Sequence, residues 1–134
     1  MNFKKRIQSL QKAIDWPVLV SDVWDIFYYS GYQAGMDERP LLLVKRQGKP
    51  VLWLSPLAGA VKAYAEIEPL GKTIKALPRT LGIDEAHLPA SLYLELKRKR
   101  RLIPCGETIK KDSKHLIQRR LEIIGDIVGK NIAG

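Results

Sequence analysis

Between Trp16 and Ser55 the chain carries short apolar runs, each closed off by glycine, proline or polar residues, and this punctuation limits what it can fold into. Val18-Leu19-Val20, Leu41-Leu42-Leu43-Val44 and Val51-Leu52-Trp53-Leu54 are too brief for helices and read as buried strands. Gln47-Gly48-Lys49-Pro50 lies between the second and third runs, so those two form an antiparallel hairpin. Asp25 to Tyr32 is another such run, with Ile26, Phe27, Tyr28, Tyr29 and Tyr32 crowded together. It reads as a core segment whose tyrosine hydroxyls reach the rim, with an aromatic binding platform as the other reading. Gly31 supplies a sharp turn or a positive φ.

The remaining segments are suited to cover a sheet. Phe3, Ile7, Leu10 and Ile14 recur at spacings of four, three and four and predict an amphipathic helix, closed by Asp15-Trp16-Pro17. Ser21-Asp22 opens a turn or a cap. Ser55-Pro56 predicts the start of a helix running to Ala65. Ile67 to Leu70 and Leu81 to Asp84 read as strands, with a helical turn from Thr73 to Leu77 between them. Leu88, Leu92 and Leu96 share a helical face that Lys97 to Arg101 closes, and Leu102 to Cys105 is a final strand. Asp112-Ser113 caps a last helix reaching Ile132, on which Ile117, Leu121, Ile124 and Val128 repeat every four, three and four residues. Strands alternating with helices, one pair of them a hairpin, predict an α/β fold with a mixed β-sheet flanked by helices. No internal repeat or interdomain linker interrupts residues 1–134, which read as one domain.

Composition excludes several function classes. No apolar run approaches the roughly 20 residues of a membrane span, so no membrane partner is expected. The basic start, Met1 to Arg6, leads into an amphipathic pattern and not a signal core, which predicts a cytoplasmic protein. A single cysteine, Cys105, excludes an intrachain disulfide and a cysteine-built metal cage, and reads as a small buried side chain. The net charge of +9 owes much to Lys97-Arg98-Lys99-Arg100-Arg101. That run fits a basic module for nucleic acid or another anionic partner, or a helix end favoured by the helix dipole. No aromatic residue interleaves with it to stack bases, so nucleic acid is not the expected partner. His87 reads as a loop histidine and His115 as a helix-surface one, neither in a spacing suited to a two-metal carboxylate site. Asp37-Glu38 reads as part of a solvated loop.

The order of these segments carries a resemblance. Asp25-Ile26-Phe27-Tyr28-Tyr29-Ser30-Gly31-Tyr32, following a helix and a short strand and preceding Arg39-Pro40 and a hairpin, resembles the N-terminal domain of the creatinase/prolidase/aminopeptidase P family of Xaa-Pro peptidases. Leu81-Gly82-Ile83-Asp84 and Ile109-Lys110-Lys111 are similar to later segments of that domain. Asp25 stands where the family has Asn, Tyr32 where it has Phe, and Glu107 where it has Arg. The resemblance implies a mixed sheet of ribonuclease H-like motif. It also implies, in full-length members, a pita-bread catalytic domain with two divalent metal ions on two aspartates, a histidine and two glutamates, which is expected to be absent from residues 1–134. No cofactor and no activity are then expected of this chain alone, its full-length relatives being metal-dependent Xaa-Pro dipeptidases or aminopeptidases. The resemblance further implies a non-catalytic role in oligomerisation and in substrate access or recognition. On that reading Tyr32, Gln33, Asp37 and Arg39 contact a substrate or partner, Arg39 through a peptide carboxylate. The chain is expected to form a homodimer through Ile117, Leu121, Ile124 and Val128 of the last helix or through an edge of the sheet, and to meet a catalytic domain if the gene continues.

Overall fold

A computed structural model describes residues 2–55 and 61–113. Helix α1, Phe3–Ala13, opens where the Asn2 side chain accepts from the Lys5 N–H at 3.1 Å, and buries Ile7 and Leu10. Strand β1, Val18–Val20, follows, then helix α2, Val23–Ser30. The hairpin is β2, Leu41–Val44, and β3, Val51–Leu54, with Gly48 at φ 84° in its turn. Gln11 of α1 holds that turn by donating to the carbonyls of Lys45 (2.9 Å) and Gly48 (3.0 Å). Next come β4, Glu66–Pro69, a 3-10 turn at Leu70–Lys72 and the short α3, Thr73–Ala76. The described part closes with β5, Thr80–Ile83, α4, Ala90–Lys97, β6, Arg101–Pro104, and α5, Gly106–Lys110.

The six strands form one mixed sheet in the order β4-β3-β2-β1-β5-β6. β1, β2 and β3 are antiparallel neighbours, while β4 runs parallel to β3 and β5 and β6 extend β1 in parallel. The alternation of a pleated strand sorts the core into two layers. Val18 and Val20 of β1 face α1, α2 and α5, meeting Ile7, Leu10, Ile26, Tyr29 and Ile109. Leu19 faces the other way, into Leu43, Trp53, Leu81, Ile83 and Leu96 beside α4.

Three expectations need correction. The run Asp25 to Tyr32 lies largely in a helix: the Asp22 carboxylate accepts from the Trp24 N–H at 3.1 Å, and Gly31 at φ 79° ends the helix by donating to the Phe27 carbonyl. A cap at each end stabilises eight residues that apolar character alone would not hold helical. Within it the Tyr29 hydroxyl does not reach the rim; it is buried and donates to the Ile109 carbonyl. Residues 61–65 are not helical, because their backbone is claimed from outside: Tyr64 N–H donates to Ser30 and Glu66 N–H to Pro50, drawing the chain into β4. The basic run also splits, since Arg101 opens β6 by donating its N–H to the Arg79 carbonyl at 2.9 Å. The first turn of the helix expected from Pro56, the last helix beyond Ser113 and His115 lie outside the described residues.

Candidate functional site

The parallel pairing of β1 with β5, Leu19 opposite Ile83, brings the carboxyl ends of both strands side by side. Each strand is followed by an acid there, Asp22 as the cap of α2 and the fully buried Asp84. The first turn of α2 adds Asp25, also buried, and the loop after β5 adds His87. α5 turns back from β6 and delivers Lys110 among them. Its ammonium lies 2.8 Å from Asp22 Oδ2, 3.3 Å from Asp84 Oδ2, and in close contact with Asp25 Oδ2. Asp25 Oδ1 accepts from the Ser113 hydroxyl at 2.7 Å. His87 places Nδ1 3.1 Å from Asp84 Oδ2 and Nε2 3.5 Å from Asp22 Oδ2. Crevices at the carboxyl ends of parallel strands, where a sheet's connections diverge, are the usual ligand position in open α/β folds.

The acids differ in ionisation. Burial raises Asp22, but hydrogen bonds from Lys110 and the Trp24 N–H outweigh it and hold its carboxyl below the ordinary range. For Asp25 burial wins over the bonds from Lys110 and Ser113, and its carboxyl is pushed up. Lys110 loses hydration, yet its bonds to Asp22 and Asp25 dominate and raise it.

A groove of about 630 Å³ runs beside this cluster, with Asp22, Arg39, Pro40, Leu70, His87 and Leu92 in its walls. Arg39 is exposed there, and Pro40 behind it is buried. The loop ahead of Arg39 is anchored at its base: Tyr32 is buried and its hydroxyl donates to the Glu38 carboxylate. Burial first, then that bond and the Glu38 charge, push the Tyr32 phenol up to about 12. Gln33 and Asp37 are exposed, and Met36 is 97% exposed at the loop tip. Tyr32, Gln33, Asp37 and Arg39 thus share one loop, with Tyr32 as its inward anchor. Ile117, Leu121, Ile124 and Val128 lie outside the described residues. Of the basic run, Arg100 donates to the Leu77 carbonyl at 3.4 Å and Lys97 lies over the Tyr93 ring.

Sequence reasoning places Asp22 in a turn or cap, Asp84 at the end of a strand and His87 in a loop, and does not join them. The available signal was an acid just after each of two strands, which becomes a shared site only when the strands are known to be parallel neighbours. The set does not match the five-ligand site implied by the resemblance. Among the described residues no glutamate joins it, and a lysine ammonium lies among its carboxylates.

A family model described as Creatinase/Prolidase N-terminal domain matches residues 4–112. No curated protein matches the sequence. Among solved structures, the prolidase from Pyrococcus horikoshii aligns with a TM-score of 0.69 at 19% identity over 80% of this chain. This chain spans 34% of that one. The Creatinase/Prolidase N-terminal domain of an X-Pro dipeptidase from Streptococcus pyogenes aligns at 16% identity and a TM-score of 0.63, over 80% of this chain and 98% of that one. The N-terminal domain of the cytoplasmic peptidase PepQ from Mycobacterium tuberculosis gives 18% identity and a TM-score of 0.65, over 80% and 97%. At these identities the structural likeness establishes the fold alone.

Proposed function

Because the chain belongs to the creatinase/prolidase N-terminal domain family, we propose that it serves as the non-catalytic domain of a cytoplasmic Xaa-Pro peptidase system. In that role it contributes to a homodimer and presents the loop from Tyr32 to Arg39 to peptide substrates at a catalytic domain. The observation that carries this reading is the build of that loop. Its base is fixed by the Tyr32–Glu38 bond and by buried Pro40, while Gln33, Met36, Asp37 and Arg39 are exposed. An ordered base under exposed polar side chains is the arrangement expected of a recognition loop on a rigid scaffold. Arg39 supplies the cation for a peptide carboxylate, and the apolar wall of Pro40, Leu70 and Leu92 accommodates an aliphatic residue beside it.

Titrating the chain with an Xaa-Pro dipeptide, followed by amide NMR shifts, tests the recognition half of this reading. Saturable shifts at Gln33, Asp37 and Arg39 that weaken in Arg39→Ala support it. Shifts confined to other elements, or a wild-type response retained in Arg39→Ala, overturn it.

A further inference from the structure

We propose that Asp22, Asp84 and His87 form a binding site for one divalent transition-metal ion, of the zinc or manganese class, at the carboxyl ends of β1 and β5. The site opens into the groove that Arg39 also lines, but the proposal does not depend on the peptidase reading.

One ligand atom from each residue falls within 4.8 Å of the others. Zinc or manganese bonds of about 2.0–2.2 Å hold neighbouring ligand atoms roughly 3–3.5 Å apart, so one ion reaches all three once the carboxylates and the His87 ring draw inward. That ring is 45% exposed, which leaves it free to adjust and leaves the ion a path in from the groove.

Charge points the same way. Among the described residues three acids, Asp22, Asp25 and Asp84, surround a single lysine, Lys110. Two of the three carboxylates are essentially inaccessible to water, 1% exposed for Asp25 and 0% for Asp84. Buried charge of one sign is costly unless countered, and a divalent ion adds positive charge where the acids outnumber the lysine.

Asp84 supplies an independent reason. It is fully buried and aimed at the cluster, yet neither carboxylate oxygen accepts a hydrogen bond among the described residues. The Lys110 and His87 nitrogens near its Oδ2 approach without hydrogen-bond alignment. A buried carboxylate that has ion-pair neighbours but accepts no hydrogen bond is the kind of group an ion completes. Asp25 is different, since Lys110 takes one of its oxygens and Ser113 the other. Metal binding therefore leaves Lys110 on Asp25 and withdraws it from Asp22 and Asp84. A carboxylate–carboxylate–imidazole set suits zinc or manganese better than calcium or magnesium, which favour all-oxygen shells.

The test uses the full chain, stripped with chelator and titrated separately with zinc chloride and manganese chloride. Calorimetry is expected to give one saturable equivalent with at least one of the two ions. Manganese-induced broadening of amide NMR signals is expected to centre on residues 22–25 and 83–88. His87→Ala, at an exposed position that the fold does not need, is expected to weaken binding by about tenfold or more. Asp84→Asn is expected to abolish binding, and the broadening pattern decides the matter without any variant if that protein fails to fold. No saturable equivalent with either ion, broadening centred elsewhere, or an affinity indifferent to His87→Ala overturns the proposal.

Discussion

Lys110 is one ammonium shared by three carboxylates, and its removal shows what the cluster contributes to the fold. Lys110→Met leaves Asp22, Asp25 and Asp84 without their common cation, and loss of one partner from a buried ion pair typically costs about 3–5 kcal/mol. Urea unfolding at neutral pH is expected to report a loss of that order, with much of it restored by Lys110→Arg. The two titrating acids of α2 pull in opposite directions with pH. Asp22 has a folded pKa below its ordinary 3.8, so its contribution is present above 3.8 and disappears as pH falls through the lower folded value. The penalty of Asp22→Asn is therefore expected at neutral pH and to fade in acid. Asp25 has a folded pKa above 3.8, so the folded state holds that proton more tightly and stability falls as pH rises from 3.8 through the folded value. The stability of Asp25→Asn relative to wild type is thus expected to increase as pH rises across that window. Urea midpoints in chelator, taken at intervals from pH 3 to 7, check both signs. None of this coupling was legible in the sequence. Lys110 stands 88 positions from Asp22 and 85 from Asp25, and only the return of α5 beneath the β1 and β5 ends makes them neighbours.

Elements were legible where the chain's own periodicity or turns define them. β1, β2 and β3 stood out because all but the first residue of β3 are buried, and a strand covered on both faces is apolar throughout. β4 was marked only by Ile67, since all four of its residues are exposed at the edge of the sheet. α2 was missed as a helix because its stability lies in its caps, Asp22 and Gly31, and not in its length. A glycine in β5 shows how tightly the layers are set. A Cβ on Gly82 would come within 2.5 Å of Val18 Cγ1 and 2.8 Å of Cys105 Sγ. Val18 lies on the central strand with no exposed surface and cannot move aside cheaply. Gly82→Ala is accordingly expected to lower stability by about 1–3 kcal/mol through overpacking. Gly48→Ala serves as a contrast: its Cβ meets nothing within 4 Å, and its cost is expected to come from the positive φ alone. Paired urea curves, with NMR shifts near Trp16 and Cys105 for Gly82→Ala, separate steric from backbone cost.

At the scale of the whole molecule, the proposed dimer has two places to form: an edge of the sheet or the aliphatic stretch from Leu116 to Val128. The edges are poorly suited to it. β4 carries Glu66, Glu68 and Pro69, and β6 carries Arg101 and Pro104; prolines and like charges on an edge discourage pairing with a second copy of the same strand. Pairing β4 of one chain with β6 of another would match charges, but it is heterologous and builds open arrays instead of a closed dimer. The remaining reason for assembly is Ile117, Leu121, Ile124 and Val128, a repeat of one face whose exposure would cost about 25 cal/mol per Å². Sedimentation velocity over a broad concentration range is expected to show a monomer–dimer equilibrium that tightens with concentration and does not progress to larger species. Ile124→Lys is expected to shift it to monomer with the far-UV circular dichroism retained. Arg101→Glu, placed on the β6 edge, is expected to leave it unchanged. A chain that stays monomeric at high micromolar concentration removes the dimer, and an Ile124→Lys protein that unfolds places that side chain in the chain's own core. Dissociation by Arg101→Glu with Ile124→Lys still dimeric would instead make the sheet edge the interface, and the charge argument against it would be wrong.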